Sequence, residues 1–123
     1  MRSKLKMESL KKYRLMNIGG EVIKDNETYV LKDNKDLKNL VLSSTELKPG
    51  QSTRGHRHSG QEEVYLFIQG YGRMIVGDED SKPFHVEFGD VVLIPDGAFH
   101  RVFNDSMTSS CYFICVFDGN RNH

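Results

Sequence analysis

Two histidines one residue apart, His56 and His58, open the stretch "HRHSGQEEVYLFIQG", and two glutamates follow before an apolar run begins. Imidazole nitrogens and carboxylate oxygens are ligands for a divalent transition ion, each at about 2 Å. On an extended segment, residues two apart share a face with backbones roughly 6.5 Å apart, so both rings can reach one ion. Glu63 lies five residues beyond His58, an odd offset that would put it on the opposite face of a continuous strand. Ser59 and Gly60 offer a turn at which the chain can bend and reset that phase. Alternation separates the two glutamates: Glu63 runs with Tyr65, Phe67 and Gln69, whereas Glu62 falls in phase with Val64, Leu66 and Ile68. Glu63 is therefore the preferred ligand. If it faces a cavity, so do Phe67 and Tyr65, whose hydroxyl can bind a ligand or donate a proton. Arg54 is in phase with His56 and His58 if the strand runs back that far, and can pair with an anionic ligand group.

A third imidazole is available in "PDGAFHRVFN", where His100, Val102 and Asn104 share one face. By itself His100 reads equally as a structural histidine, and a His-x-His pair alone occurs in many unrelated loops. His85 and His123 have no supporting neighbours. Cys111 and Cys115 are four apart; in a strand that is roughly 13 Å, too far for a disulfide, so they read as small buried apolar residues. The acidic "GDEDSKP" lacks the spacing of a calcium loop and reads as a solvated turn.

The elements that must position these groups are strands. Short β-branched and aromatic runs ("TYVLK", "NLVLSSTEL", "EVYLFIQG", "GRMIVG", "FHVEFG", "DVVLIP", "HRVFN", "SCYFICVFD") alternate with turns rich in Gly, Pro, Asn, Asp and Ser. Eight such strands point to an all-β sandwich or barrel. A chain of 123 residues suits one domain. With 17 basic and 17 acidic residues it lacks the electrostatic footprint of a nucleic-acid or anionic-membrane binder. The basic start has no apolar h-region behind it, and no stretch suits a membrane span. These features suggest a cytoplasmic protein.

Taken jointly, the spacings Gly50-x5-His56-x-His58-x4-Glu63-x6-Gly70 and Gly89-x5-Pro95-x-Gly97-x2-His100-x3-Asn104 resemble the two cupin motifs. The resemblance covers roughly residues 36–118. It implies a double-stranded β-helix of the jelly-roll kind, as a single-domain monocupin at 21–123 behind an N-terminal arm at 1–20. It also implies His56, His58, Glu63 and His100 as ligands of one divalent transition ion (Fe, Mn, Ni or Zn), with Pro95 and Gly97 forming the turn that presents His100.

From this frame follow expectations about function. Arg54, Tyr65, Phe67 and Val102 are expected to contact a small-molecule substrate, with Phe113 and Phe117 in an apolar wall. Tyr65 or Glu63 is expected to move a proton. Similar small cupins, including phosphomannose-isomerase-like ones, suggest a metal-dependent isomerase, epimerase or lyase of a sugar, sugar phosphate or keto acid. The alternatives are an iron dioxygenase and a non-catalytic ligand-binding module. Arg57 and Arg101 are expected outside. Outward Val64, Leu66 and Ile68 need a cover, either the N-terminal segment or a second copy, and a homodimer is expected.

Overall fold

The computed structural model describes residues 10–119. Nine strands run in the order β1 (Glu21–Asp25), β2 (Tyr29–Asn34), β3 (Leu40–Leu47), β4 (Glu63–Gln69), β5 (Tyr71–Gly77), β6 (Phe84–Glu87), β7 (Val91–Ile94), β8 (Phe99–Asn104) and β9 (Cys111–Asp118). They form two sheets, a six-stranded one ordered β1-β2-β3-β9-β4-β7 and a three-stranded one ordered β6-β5-β8. Every pairing is antiparallel. This is an all-β double-stranded β-helix, as the motif spacing implies. No helix among the described residues is long and apolar enough to cross a membrane.

Strand β1 was not foreseen. "EVIKD" is exposed at every position, so it carries no burial pattern that alternation could reveal. It forms only because β2 offers it an edge, and a register shift between Val22 and Lys24 interrupts that pairing.

Cross-strand register assigns the faces. Ile94, Glu63, Phe117 and Val41 form one inward row, and Val92, Tyr65, Cys115, Ser43 and Asp33 the next. Deeper along the same strands Phe67, Phe113, Leu47 and Cys111 meet Met74, Val86 and Val102 of the smaller sheet in the main core. Cys111 and Cys115 are buried free thiols, as their spacing requires. Asn104 is buried at the far end of β8, where its Nδ2 donates to the carbonyls of Leu47 (3.0 Å), Lys48 (3.1 Å) and Ser109 (2.9 Å). It ties the ends of β3 and β8 to the loop before β9.

Outward, Leu66 and Ile68 pack with Tyr112 and Ile114 beneath Ile18 of the N-terminal arm, which is 2% exposed. The Tyr112 hydroxyl donates to the Leu15 carbonyl at 2.7 Å, fastening the arm. Part of the aliphatic row is therefore covered by the chain itself. Val91 and Leu93, on the same face through their pairing with Leu66 and Val64, remain exposed.

Candidate metal centre

The histidine loop runs antiparallel along β8. Bridges join Ser52 to Phe103 and His56 to His100, four residues on one side against three on the other, so one residue bulges. Gly55 fits that bulge: its φ is +87°, and a Cβ there would lie 2.4 Å from the Phe99 ring. The His56 amide donates to the His100 carbonyl (3.1 Å) and the His100 amide to the His56 carbonyl (2.9 Å), locking two ligand candidates side by side. Next comes the expected break. Gly60 has φ of +81° and donates its N–H to Asp96 Oδ1 at 2.6 Å, while the Gly97 amide donates to the His58 carbonyl at 3.1 Å. The turn at Pro95–Gly97 thus holds the turn at Ser59–Gly60, and β4 begins with its phase reset. Glu63 points inward at 7% exposure, whereas Glu62 is exposed.

Ligand atoms of His56, His58 and Glu63 lie within 4.8 Å of one another, a cluster able to chelate one divalent metal ion. His100 adjoins it, with its ring centroid 4.4 Å from that of His56 and 6.2 Å from that of His58. Its Nδ1 sits 3.1 Å from the Ala98 carbonyl, an acceptor that calls for the proton on Nδ1 and, in the neutral ring that a metal ligand requires, leaves a lone pair on Nε2. That lone pair faces Glu63 Oε1 at 3.0 Å. The two atoms are close enough to be paired, yet both are buried and neither has hydrogen-bond geometry. Two acceptors facing each other in a dry site are costly unless a cation lies between or beside them. The residues present therefore fit a metal. The donor set, imidazoles with one carboxylate, suits Fe, Mn, Ni or Zn.

His56 is exposed by area, but crowding dominates its ionisation. Desolvation first, then the neighbouring His100 and His58, lower its pKa to about 4, against a smaller opposing effect of Glu63. Its ring is neutral at neutral pH, as a metal ligand must be.

Around these groups lies a cavity of about 310 Å³. Tyr65 lines it, with its ring stacked on Phe113 at 5.2 Å and edge-on to His100 at 5.6 Å. Burial, then the nearby Cys115 and Glu63, push its pKa well above 10, so the phenol stays protonated and keeps an O–H to donate. Arg54, Phe113 and Phe117 also line the cavity. Phe67 and Val102 do not: each is 1% exposed and belongs to the core. They share a face with Glu63 and His100, but sit further along β4 and β8, where the two sheets close on each other. Parity identified the face and not the depth.

Arg57 is exposed as expected, but Arg101 is half-buried, donating from Nε to the Thr53 carbonyl (2.7 Å) and from Nη2 to Ser52 Oγ (3.0 Å). Its guanidinium and that of Arg73 lie over the two-sided ring of Phe103 at 4.6 and 4.8 Å, which shields this outward aromatic. His85 is an exposed residue beside Glu87 (2.9 Å), and His123 lies outside the described residues.

The sequence reasoning missed a polar wall. Asp33, Ser43 and Thr45 line the cavity opposite the histidines. "LVLSSTEL" mixes polar and apolar residues in both phases, so its inward face became readable only through its pairing with β9.

Comparison with known proteins agrees with this architecture. Over 71 residues the chain is 30% identical to the oxalate-binding protein of Thermotoga maritima, spanning 58% of this chain and 56% of that one. An oxalate decarboxylase from Bacillus subtilis superposes with a TM-score of 0.69 at 25% identity, over 79% of this chain and 27% of the enzyme. A conserved protein with a double-stranded β-helix domain from Klebsiella pneumoniae matches 90% of this chain and 92% of its own, with a TM-score of 0.75 at 19% identity. The chain thus spans little more than half of the oxalate-binding protein and about a quarter of the decarboxylase. Residues 43–117, more than half of the chain, match the family described as Cupin domain, and the protein belongs to the cupins.

Proposed function

We propose that this cupin is a metal-dependent enzyme of the isomerase, epimerase or lyase class, acting on a small hydroxy or keto acid of the sugar-acid type. The observation that carries the reading is the facing pair of buried acceptors, Glu63 Oε1 and His100 Nε2, at the wall of a cavity of metabolite size with polar and apolar sides. A divalent ion held by His56, His58, Glu63 and His100 supplies Lewis-acid polarisation of a carboxylate or carbonyl oxygen. The protein's own groups do the rest. Arg54 at the mouth attracts the anionic substrate, and Phe113 and Phe117 exclude water from one side. Tyr65, held protonated, donates a hydrogen bond or a proton to developing negative charge. Asp33 and Ser43 offer acceptors for substrate hydroxyls on the opposite wall.

The likeness to an oxalate-binding protein favours a second reading, a module that only captures a small organic acid. Turnover separates the two. Protein purified without chelator or affinity tag, its metal identified by plasma mass spectrometry, is screened with sugar acids, sugar phosphates and keto acids. Substrate conversion lost in His58→Ala supports the enzyme. Calorimetric binding of acids without conversion supports the capture module, and oxygen uptake by an iron-loaded sample replaces both with a dioxygenase.

We further infer a homodimer. Exposed Val91 and Leu93 continue the outward row of half-buried Val64 and Leu66, an apolar strip suited to a second copy. A monomeric mass by light scattering at micromolar concentration would refute it.

A further inference from the structure

Beside the metal cavity lies a second, polar cleft of about 390 Å³, lined by Lys24, Asn26, Thr28, Tyr29, Ser52, Thr53, Arg54 and Arg101. Tyr29, Thr53 and Arg54 line both spaces, so the two adjoin. Three cations and no carboxylate stand on the cleft wall, in a chain whose formal charge is zero. Among the described residues, the side chains of Lys24 and Arg54 make neither a hydrogen bond nor an ion pair. Lys48, the next cation along, is instead engaged with Asp25 at 3.9 Å. Arg101 is held differently. Its bonds to Thr53 and Ser52 and its seat over Phe103 fix the guanidinium, and use only part of its five N–H donors. A fixed fork flanked by two unpaired cations and by Thr and Ser hydroxyls is an oxyanion receptor in its chemistry. Arg54 is two residues from His56 across the Gly55 bulge and lines both spaces, so the receptor adjoins the metal centre.

We propose that the cleft binds the second anionic group, a phosphate or a distal carboxylate, of a two-headed substrate whose first carboxylate meets the metal centre. This rests on the functional reading above and narrows its substrate class to small doubly anionic acids. Arg54 then serves both ends, and Lys24, on the strand that sequence periodicity overlooks, becomes a specificity determinant.

The test reads a ratio, so a general loss of affinity cancels. Calorimetry on the metal-loaded protein compares 3-phosphoglycerate with glycerate, which differ only in the second anion. The expected preference for the phosphorylated acid is about tenfold or more, falling below about threefold in the double variant Lys24→Gln/Arg54→Gln. Circular dichroism verifies the fold of the variant. A preference absent from the wild type, or surviving in the variant, overturns the proposal. Failure of the metal reading is distinguishable: inorganic phosphate titrated into metal-free His58→Ala protein probes the cleft alone. Saturable phosphate binding that the added Lys24→Gln/Arg54→Gln changes abolish upholds the cleft even if no acid meets a metal. Its absence overturns the cleft even if oxalate binds the loaded wild type.

Discussion

The two ends of strands β4, β8 and β9 differ completely in what they do, although the same inward faces run through both. At one end Glu63, Tyr65, His100, Cys115 and Phe117 border an open cavity of mixed polar and apolar lining. Two or more residues further on, Phe67, Val102 and Cys111 are sealed between the sheets. Phe113 touches both worlds, stacking on Tyr65 at 5.2 Å and meeting Phe67 at a tilt with centroids 5.3 Å apart. The packed end supplies hydrophobic stability; the open end carries facing acceptors and crowded imidazoles that favour binding over stability. A β-sandwich can separate these tasks because a strand advances about 3.3 Å per residue, so a step of two crosses from solvent-connected space into the core.

The largest effect should come from breaking the packed end. Phe67→Ala is expected to cost about 3–5 kcal/mol of stability, read by denaturant unfolding, while the fraction that remains folded keeps its metal. A cost below about 1 kcal/mol would mean that Phe67 is not at the centre of the core. At the open end the balance reverses. His58→Ala is expected to reduce metal affinity by about 100-fold or more, with stability of the metal-free protein changed by no more than about 0.5 kcal/mol, because His58 is exposed. Plasma mass spectrometry beside a melt in chelator measures both.

Glu63→Gln sharpens the contrast further. An amide N–H can donate to His100 Nε2 where a carboxylate oxygen now opposes it. Metal retention should fall, yet the metal-free protein should gain about 1 kcal/mol, a rise of about 4 °C in melting temperature for a chain of 123 residues. A lower melting temperature would show that a shared proton already joins the pair.

The smallest effect concerns the thiols. Burial pushes the Cys111 pKa up to about 11 from 9.0, so its neutral form is favoured by the fold. Its contribution is complete below pH 9 and is lost as pH rises toward 11. Neither Cys111 nor Cys115 should react with a disulfide reagent at pH 8 until denaturant is added. Rapid native labelling would contradict the burial of both.

Much of this protein is legible in its residues alone. The spacing of His56, His58, Glu63 and His100 about glycines and a proline specifies a cupin, because a metal site and its corner turns tolerate few residue types at few offsets. The alternation of "EVYLFIQ" distinguishes inward Glu63 from Glu62. Other features depend on partners distant in sequence. The depth of Phe67 and Val102, the exposed strand at Glu21–Asp25, the polar wall of Asp33, Ser43 and Thr45, and the joining of Lys24, Arg54 and Arg101 into one cleft are of this kind. Local periodicity reports which side of a strand a residue occupies. What stands opposite that side, and how near, is set by sheet pairing and closure, so only the tertiary structure decides it.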